Sequence, residues 1–200
     1  MEAYLQQKIT LGREKSASSL AWNAESGLVA IGYQSGAVKL IRVEEAAAGE
    51  ELQLSLNENL PASHNAAVTR LSWNEGNDKL LSLDARGVMV VWAESLGSYA
   101  EEMVNESEER RILLAKWSLD GGQVLIVLQG GKVVMGSVDG RRLWERDFDA
   151  QVVHACFAEA DRVVMLADEG GVLLSVDALL GEVFAEAELP GAAPAPPIAV

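Results

Sequence analysis

Four times along this chain an aromatic residue is followed fourteen positions later by glycine: Trp22 and Gly36, Trp73 and Gly87, Trp117 and Gly131, Phe157 and Gly171. The aromatics lie 51, 44 and 40 residues apart, so the unit is constant inside and variable in its outer connection. Stacked copies of one supersecondary unit produce this pattern, because a packed core resists changes of length that surface loops tolerate.

Each unit resolves into apolar runs separated by turn chemistry. The first runs are "SSLAW", "VTRLSW", "ILLAKW" and "VVHACF"; the second are "GLVAIG", "DKLLSL", "QVLIVL" and "DRVVML"; the third are "AVKLIRV", "VMVVW", "KVVMGSV" and "GVLLSV". Asn and Gly clusters bridge the first two, and Ser35-Gly36, Arg86-Gly87, Gly130-Gly131 and Gly170-Gly171 end the tight turn before the third. Glycine there relieves the steric cost of a positive φ. Near-continuous apolar runs are expected where both faces of a sheet are covered. The fourth runs, "ELQLSLNE", "SYAEEMV", "RLWERDF" and "EVFAEAEL", mix apolar with polar, as an outer strand with one wet face does. Only Glu101 to Arg111 hints at a 3.6-residue pattern, and the β-branched content of the inner runs opposes helix.

Four-stranded units of ~40 to 45 residues are the signature of a WD-repeat propeller. The expected fold is all-β, a WD40-type β-propeller with about four blades of an incomplete seven-bladed ring. The blades fall at about 16–60, 64–106, 110–149 and 151–189, together a partial propeller over 1–189. Residues 3–11 alternate like an outer strand that closes a blade beyond Val200, and 190–200 form a Pro/Ala-rich tail. An isolated chain of this kind would expose an unpaired edge and an apolar face, so it is expected to aggregate or need a partner. The second blade keeps most of the family signature: His64 precedes its first strand, Val68 and Trp73 lie in that strand, and Trp92 ends the third, followed by Ala93 rather than Asp. The acidic residue of the tight turn is replaced by Ser35, Arg86, Gly130 and Gly170. Asp84 lies two positions too early and is assigned no role.

With 49% apolar residues the chain is not generally disordered, and no apolar run approaches the ~20 residues that span a bilayer. The start, "MEAYLQQKITLGREK", lacks an apolar signal core, and the one cysteine, Cys156, cannot form an internal disulfide. These features fit a soluble protein of a reducing cytosolic compartment. A net charge of −14 penalises binding to phosphate backbones or anionic lipid, so neither nucleic acid nor membrane insertion is expected.

Beyond the repeat core, "AYLQQKI", "WNAESGLVAIGYQSGAVKLIRVE", "SYAEEMVNESE" and above all "VVMGSVDGRRLWERD" resemble the N-terminal propeller of the WD-repeat protein 35 family, almost collinearly from about Ala3 to Phe184. A tubby-like family with a related WD region is a neighbour. The resemblance implies a non-enzymatic scaffold of intraflagellar transport complex A, with roles in retrograde ciliary transport, cilium assembly and entry of membrane proteins into cilia. It implies other complex A subunits and ciliary membrane-protein cargo as partners, and a place at the axoneme, the basal body and in the cytoplasm. Members of that family carry two tandem propellers and a helical solenoid. The alternative is a generic WD adaptor, such as a vesicle-coat or ubiquitin-ligase substrate-receptor propeller.

No catalytic set, cofactor site or metal site is read from the residues. His64 stands nine positions before Trp73, which favours a structural hydrogen bond over a general base. His154 and Cys156 share a strand face, yet with no other Cys and no nearby His ordinary packing is the better reading. Gly121-Gly122, Gly130-Gly131 and Gly170-Gly171 fail as phosphate loops, since Gly130-Gly131-Lys132 enters a strand instead of a helix. Asp139, Asp147 and Asp149 lack calcium-loop spacing, and the sequon Asn105-Glu106-Ser107 is expected to stay unmodified. Glu44-Glu45, Glu50-Glu51 and Glu101 to Glu109 read as a solvated rim, with steering of a basic partner as the functional alternative. No partner-binding residue is singled out.

Overall fold

The computed structural model describes residues 16–44, 53–106 and 109–189; the expected outer strand at 3–11 and the tail at 190–200 lie outside them. Among the described residues, sixteen strands form four antiparallel sheets in which each strand pairs with its neighbour in sequence. The first sheet is β1 (Ala17–Trp22), β2 (Leu28–Tyr33), β3 (Val38–Glu44) and β4 (Gln53–Asn59). The second is β5 (Val68–Asn74), β6 (Lys79–Asp84), β7 (Met89–Ser95) and β8 (Ser98–Asn105). β9 (Ile112–Trp117), β10 (Gln123–Leu128), β11 (Lys132–Ser137) and β12 (Arg142–Asp147) make the third. The fourth is β13 (Val152–Ala158), β14 (Val163–Asp168), β15 (Val172–Asp177) and β16 (Val183–Glu188). These are four WD-type blades. The segment with helical spacing is strand β8 as far as Asn105, because pairing in the sheet overrides a weak local periodicity.

The chain divides at Glu102 and Met103 into two compact units, the first carrying blades one and two and the second carrying blades three and four, with Arg86–Met89 grouped in the second. In the first unit, Ser18 and Ser19 on β1 donate to the Val68 carbonyl at 2.7 and 2.9 Å, tying blade one to β5. A β-carbon on Gly32 would come within 2.7 Å of Val68 Cγ1, so glycine permits this close approach.

In the second unit one core joins the blades: Leu125, Val127, Val133 and Met135 of blade three pack with Val164, Leu166 and Val176 of blade four. Trp144 on β12 extends this core. Its indole N–H donates to the Ala178 carbonyl at 2.8 Å, and its ring lies where a β-carbon on Gly181 would sit, 2.7 Å away. The middle strands β6 and β10 are buried almost throughout, as their apolar runs demand. β15 is only half-buried, and β16 is exposed along its whole length instead of having one covered face. On β15 only Val176 is buried in the core; Leu174, on the same face, packs against that core half-buried, and Leu173 and Ser175 on the other face are half-buried as well.

Turn residues act where their chemistry requires. Asn23 Oδ1 accepts from the backbone N–H of Glu25 and Ser26 at 3.0 and 2.9 Å, fixing the first bend. Asp120 accepts from Ser118 Oγ and the Gly122 N–H, and these hydrogen bonds hold its carboxyl below the usual aspartate range.

Candidate functional site

The most polar buried cluster among the described residues lies in blade two. Lys79–Asp84 alternates so that Ser82 and Asp84 share one face of β6, and both are buried within "LLSLD". Trp92, three residues into β7 from Met89 and completely buried, donates its indole N–H to Ser82 Oγ at 2.8 Å. His64, from the connection ahead of β5, places Nε2 2.7 Å from the same hydroxyl and Nδ1 3.4 Å from Asp84 Oδ2, with both side chains fully buried.

The Asp84 carboxylate favours a ring proton on His64 Nδ1, 3.4 Å away; with that tautomer Nε2 accepts from the Ser82 hydroxyl, whose oxygen accepts from the Trp92 indole N–H. The other tautomer would aim a lone pair at that anion. Burial pulls the His64 pKa below its ordinary value, with Asp84 opposing that shift in part, so the ring is held neutral.

Asp84 is a correction to the expectation drawn from the tight turn. Residue counting pointed to the position of Arg86, which is exposed, whereas the carboxylate that reaches His64 comes from the end of β6. The overlooked signal was the pair Ser82 and Asp84, two polar residues at strand spacing inside an otherwise apolar run.

At equivalent positions the other blades have different chemistry. Blade one has Ile31, Tyr33 and Ile41, which cluster with Val29 and Ala37. Blade four has Leu166, Asp168 and Val176; Leu166 and Val176 join the apolar core, and Asp168 Oδ1 accepts from the Val172 N–H at 2.8 Å across its own turn. Blade three has Ile126, Leu128 and, in the place of Trp92, Gly136.

The four turn glycines all adopt positive φ: +91° at Gly36, +88° at Gly87, +80° at Gly131 and +85° at Gly171. Three also lie against the connection that leads into the following blade. A β-carbon would sit 2.5 Å from the His64 carbonyl oxygen at Gly36, 2.7 Å from the Ile112 nitrogen at Gly87, and 2.3 Å from the Phe148 oxygen at Gly131. The paired aromatics do not share one environment. Trp22 is 65% exposed, whereas Trp73, Trp117 and Phe157 are half-buried. Trp73 donates to the Ala21 carbonyl at 3.2 Å and meets Tyr99 edge-on at 5.8 Å between ring centres. Burial first, then the Asp78 and Glu94 carboxylates, push the Tyr99 phenol up to about 12.

His154 and Cys156 are both exposed on β13, opposite Ala167 and Met165, and no group of three metal-ligating side chains forms among the described residues. Asp139 pairs with Arg141 at 3.0 Å, and Asp147 pairs with Arg110. Of the acidic rim, Glu101 accepts from Ser63 and Glu102 pairs with Lys79; Glu45, Glu50 and Glu51 lie outside the described residues. The buried histidine, serine and tryptophan face one another instead of solvent, so the arrangement holds a blade together and presents no group to a substrate.

Residues 1–188 match the family model described as WDR35/TULP4 N-terminal. WD repeat-containing protein 35 of Rattus norvegicus is 31% identical over 176 residues, covering 84% of this chain and 15% of that protein. The Homo sapiens protein of the same name has the same identity and coverage. Tubby-related protein 4 of Homo sapiens is 33% identical over 116 residues, 57% of this chain and 8% of that protein. The chain therefore spans only a small part of the relatives it matches. Among solved structures, a chain of the crystal structure of the mitotic checkpoint complex aligns with a TM-score of 0.67 at 15% identity, covering 86% of this chain and 51% of its own length. The WD40 beta propeller domain of Doa1 aligns with 0.63 at 18% identity, covering 87% and 55%. At these identities the structures speak for the fold alone.

Proposed function

The chain belongs to the WDR35/TULP4 N-terminal β-propeller family, and from that premise we propose that this WD-repeat interaction domain is a non-catalytic scaffold propeller of intraflagellar transport complex A. In this role it supports retrograde ciliary transport, cilium assembly and entry of membrane proteins into cilia. Its partners are other complex A subunits and ciliary membrane-protein cargo, and it works in the cilium, at the basal body and in the cytoplasm. The observation that carries this reading is the collinear similarity to WD repeat-containing protein 35 over 176 residues. That similarity covers 84% of this chain, more than its strands alone account for.

The repeat positions Trp22, Gly36, His64, Trp73, Gly87, Trp92, Trp117, Gly131, Phe157 and Gly171 serve the blades in this proposal, and partners bind elsewhere. Blade limits at 16–60, 64–106, 110–149 and 151–189 belong to the same reading. The polar cluster of blade two supports a non-catalytic role, because its side chains are buried and bonded to one another.

Affinity purification of the tagged endogenous protein from ciliated cells tests the assignment. Co-recovery of complex A subunits under gentle conditions is the expected result, and their absence overturns it. The WD-type blades by themselves equally suit one second reading, a generic WD adaptor of the vesicle-coat or ubiquitin-ligase substrate-receptor type. Recovery of such a complex in place of complex A would establish that alternative.

A further inference from the structure

We propose that blade four carries a cleft for a lysine side chain from a basic segment of a partner protein. The ground for this is a difference between blades three and four, which lie in the same compact unit. On the outer strand of blade three, Glu145 lies opposite Val134 and Asp147 opposite Lys132. Both carboxylates are answered from within the chain. Lys132 Nζ donates to Glu145 at 3.2 Å, Arg142 pairs with the same carboxylate, and Arg110 pairs with Asp147.

Blade four keeps the acids and lacks the bases. Glu186 lies opposite Leu174 and Glu188 opposite Val172, the register positions that Glu145 and Asp147 hold in blade three. The places of Arg110, Lys132 and Arg142 are taken by Ala150, Val172 and Val183. These three small side chains line a cleft of about 370 Å³ together with Asp149, Asp168 and Glu186, and no cationic residue lines it. Asp168 accepts from the Val172 N–H, but among the described residues no cation pairs with Asp149, Glu186 or Glu188. Arg146 stands opposite Val133, on the face of β12 toward blade four, yet its guanidinium donates to the Glu145 and Leu180 carbonyls at 3.1 and 3.3 Å.

Shape and charge together select the occupant. In blade three Lys132 carries its ammonium from the third strand to the outer-strand carboxylate; a partner's lysine repeats this in blade four, with its alkyl stem over Val172 and Val183 and its head at Glu186. An anionic ligand would meet three carboxylates, and a wholly apolar one would take water from Glu186 without answering its charge. The volume is at the small end of ligand sites, which suits one or two side chains. This rests on the interaction-domain reading and names a partner chemistry for it. A failed peptide measurement would leave recovery of complex A untouched, and failure to recover complex A would leave the peptide result standing.

The measurement is fluorescence anisotropy of the full 200-residue chain with the labelled peptide Gly-Lys-Ala-Lys-Gly. Two counterparts replace both lysines, one by norleucine, which keeps a stem without charge, and one by diaminopropionic acid, which keeps the charge without the stem. The lysine peptide should bind about ten-fold or more tighter than either, and Glu186→Gln with Glu188→Gln should weaken it by about ten-fold. Val172→Lys, in which blade four supplies its own cation as blade three does, should abolish binding. Gln34→Lys adds the same charge at an exposed position of blade one and should leave binding unchanged. Near-ultraviolet circular dichroism checks that Val172→Lys folds, and the double glutamine variant decides if it does not. Equal affinity for the diaminopropionic acid peptide, equal loss in Gln34→Lys and Val172→Lys, or binding unaffected by the double glutamine variant would overturn the proposal.

Discussion

Blades one and two solve the same packing problem with opposite chemistry. At three equivalent positions blade two uses Ser82, Asp84 and Trp92 with His64, while blade one uses Ile31, Tyr33 and Ile41. Both sets are buried. A polar network in a core gains little net free energy over an apolar set of similar size, because each group gives up water to find its partner. Once built, however, it is intolerant of partial loss, since every remaining member is left buried and unpaired. The comparison therefore locates fragility in blade two and tolerance in blade one. Blade three uses neither set, with Ile126, Leu128 and Gly136 at those positions.

The sharpest way to break the contrast is truncation at the matched third position. Trp92→Ala should cost about 3–5 kcal/mol in urea unfolding, from the cavity and the lost N–H bond together. Ile41→Ala should cost at the low end of about 2–5 kcal/mol, since it strands no polar group. Equal losses would mean that the network adds nothing beyond volume.

Next is the acidic residue itself. Asp84→Ala should destabilise by about 1–3 kcal/mol by leaving the buried His64 N–H unanswered, whereas Arg86→Ala should stay within about 0.5 kcal/mol. A larger loss at Arg86 would restore the tight turn as the seat of that function.

The turn glycines separate backbone strain from packing. Gly130 and Gly131 have nearly the same φ, +81° and +80°, but a β-carbon on Gly130 meets nothing while one on Gly131 strikes the Phe148 and Ala150 carbonyls. Gly130→Ala should cost about 1–2 kcal/mol, the left-handed backbone penalty alone. Gly131→Ala should cost clearly more in the same unfolding assay, and equality would remove the packing argument.

The smallest expected effect is in pH. Because His64 has a folded pKa below 6.5, the unfolded chain takes up the proton first. The stabilising contribution is complete above that value and is lost as pH falls through it toward the folded pKa. Between about pH 7.5 and about pH 5.5 the urea midpoint of the parent chain should fall further than that of His64→Gln. Parallel declines would assign the pH dependence to other groups.

Much of this architecture was legible beforehand because it depends on period. The fourteen-residue spacing from Trp22 to Gly36 and its three counterparts runs from the end of one strand, through the next, to a tight turn, and the glycines take the positive φ that such a turn needs. Asp84 was not legible in the same way. Its partner His64 comes from a connection twenty residues earlier, so counting from the turn glycine chose Arg86, while distance in space chose Asp84. The aromatic anchors show a similar limit: equal spacing left Trp22 mostly exposed and Trp73 half-buried against Tyr99, because burial depends on what faces the strand. Trp144 looked only like one residue of a family-like stretch until its indole was seen to join β12 to the Ala178–Gly181 turn.

By itself the sequence determined four repeated antiparallel units and their family, since strand period, turn glycines and collinear similarity are properties of the chain in order. Tertiary structure alone decided which buried groups pair in blade two and why three of the turn glycines cannot carry a β-carbon. Those are distances between residues remote in sequence, and hydrogen bonds, close packing and Coulomb interactions depend on distance, which linear order does not contain.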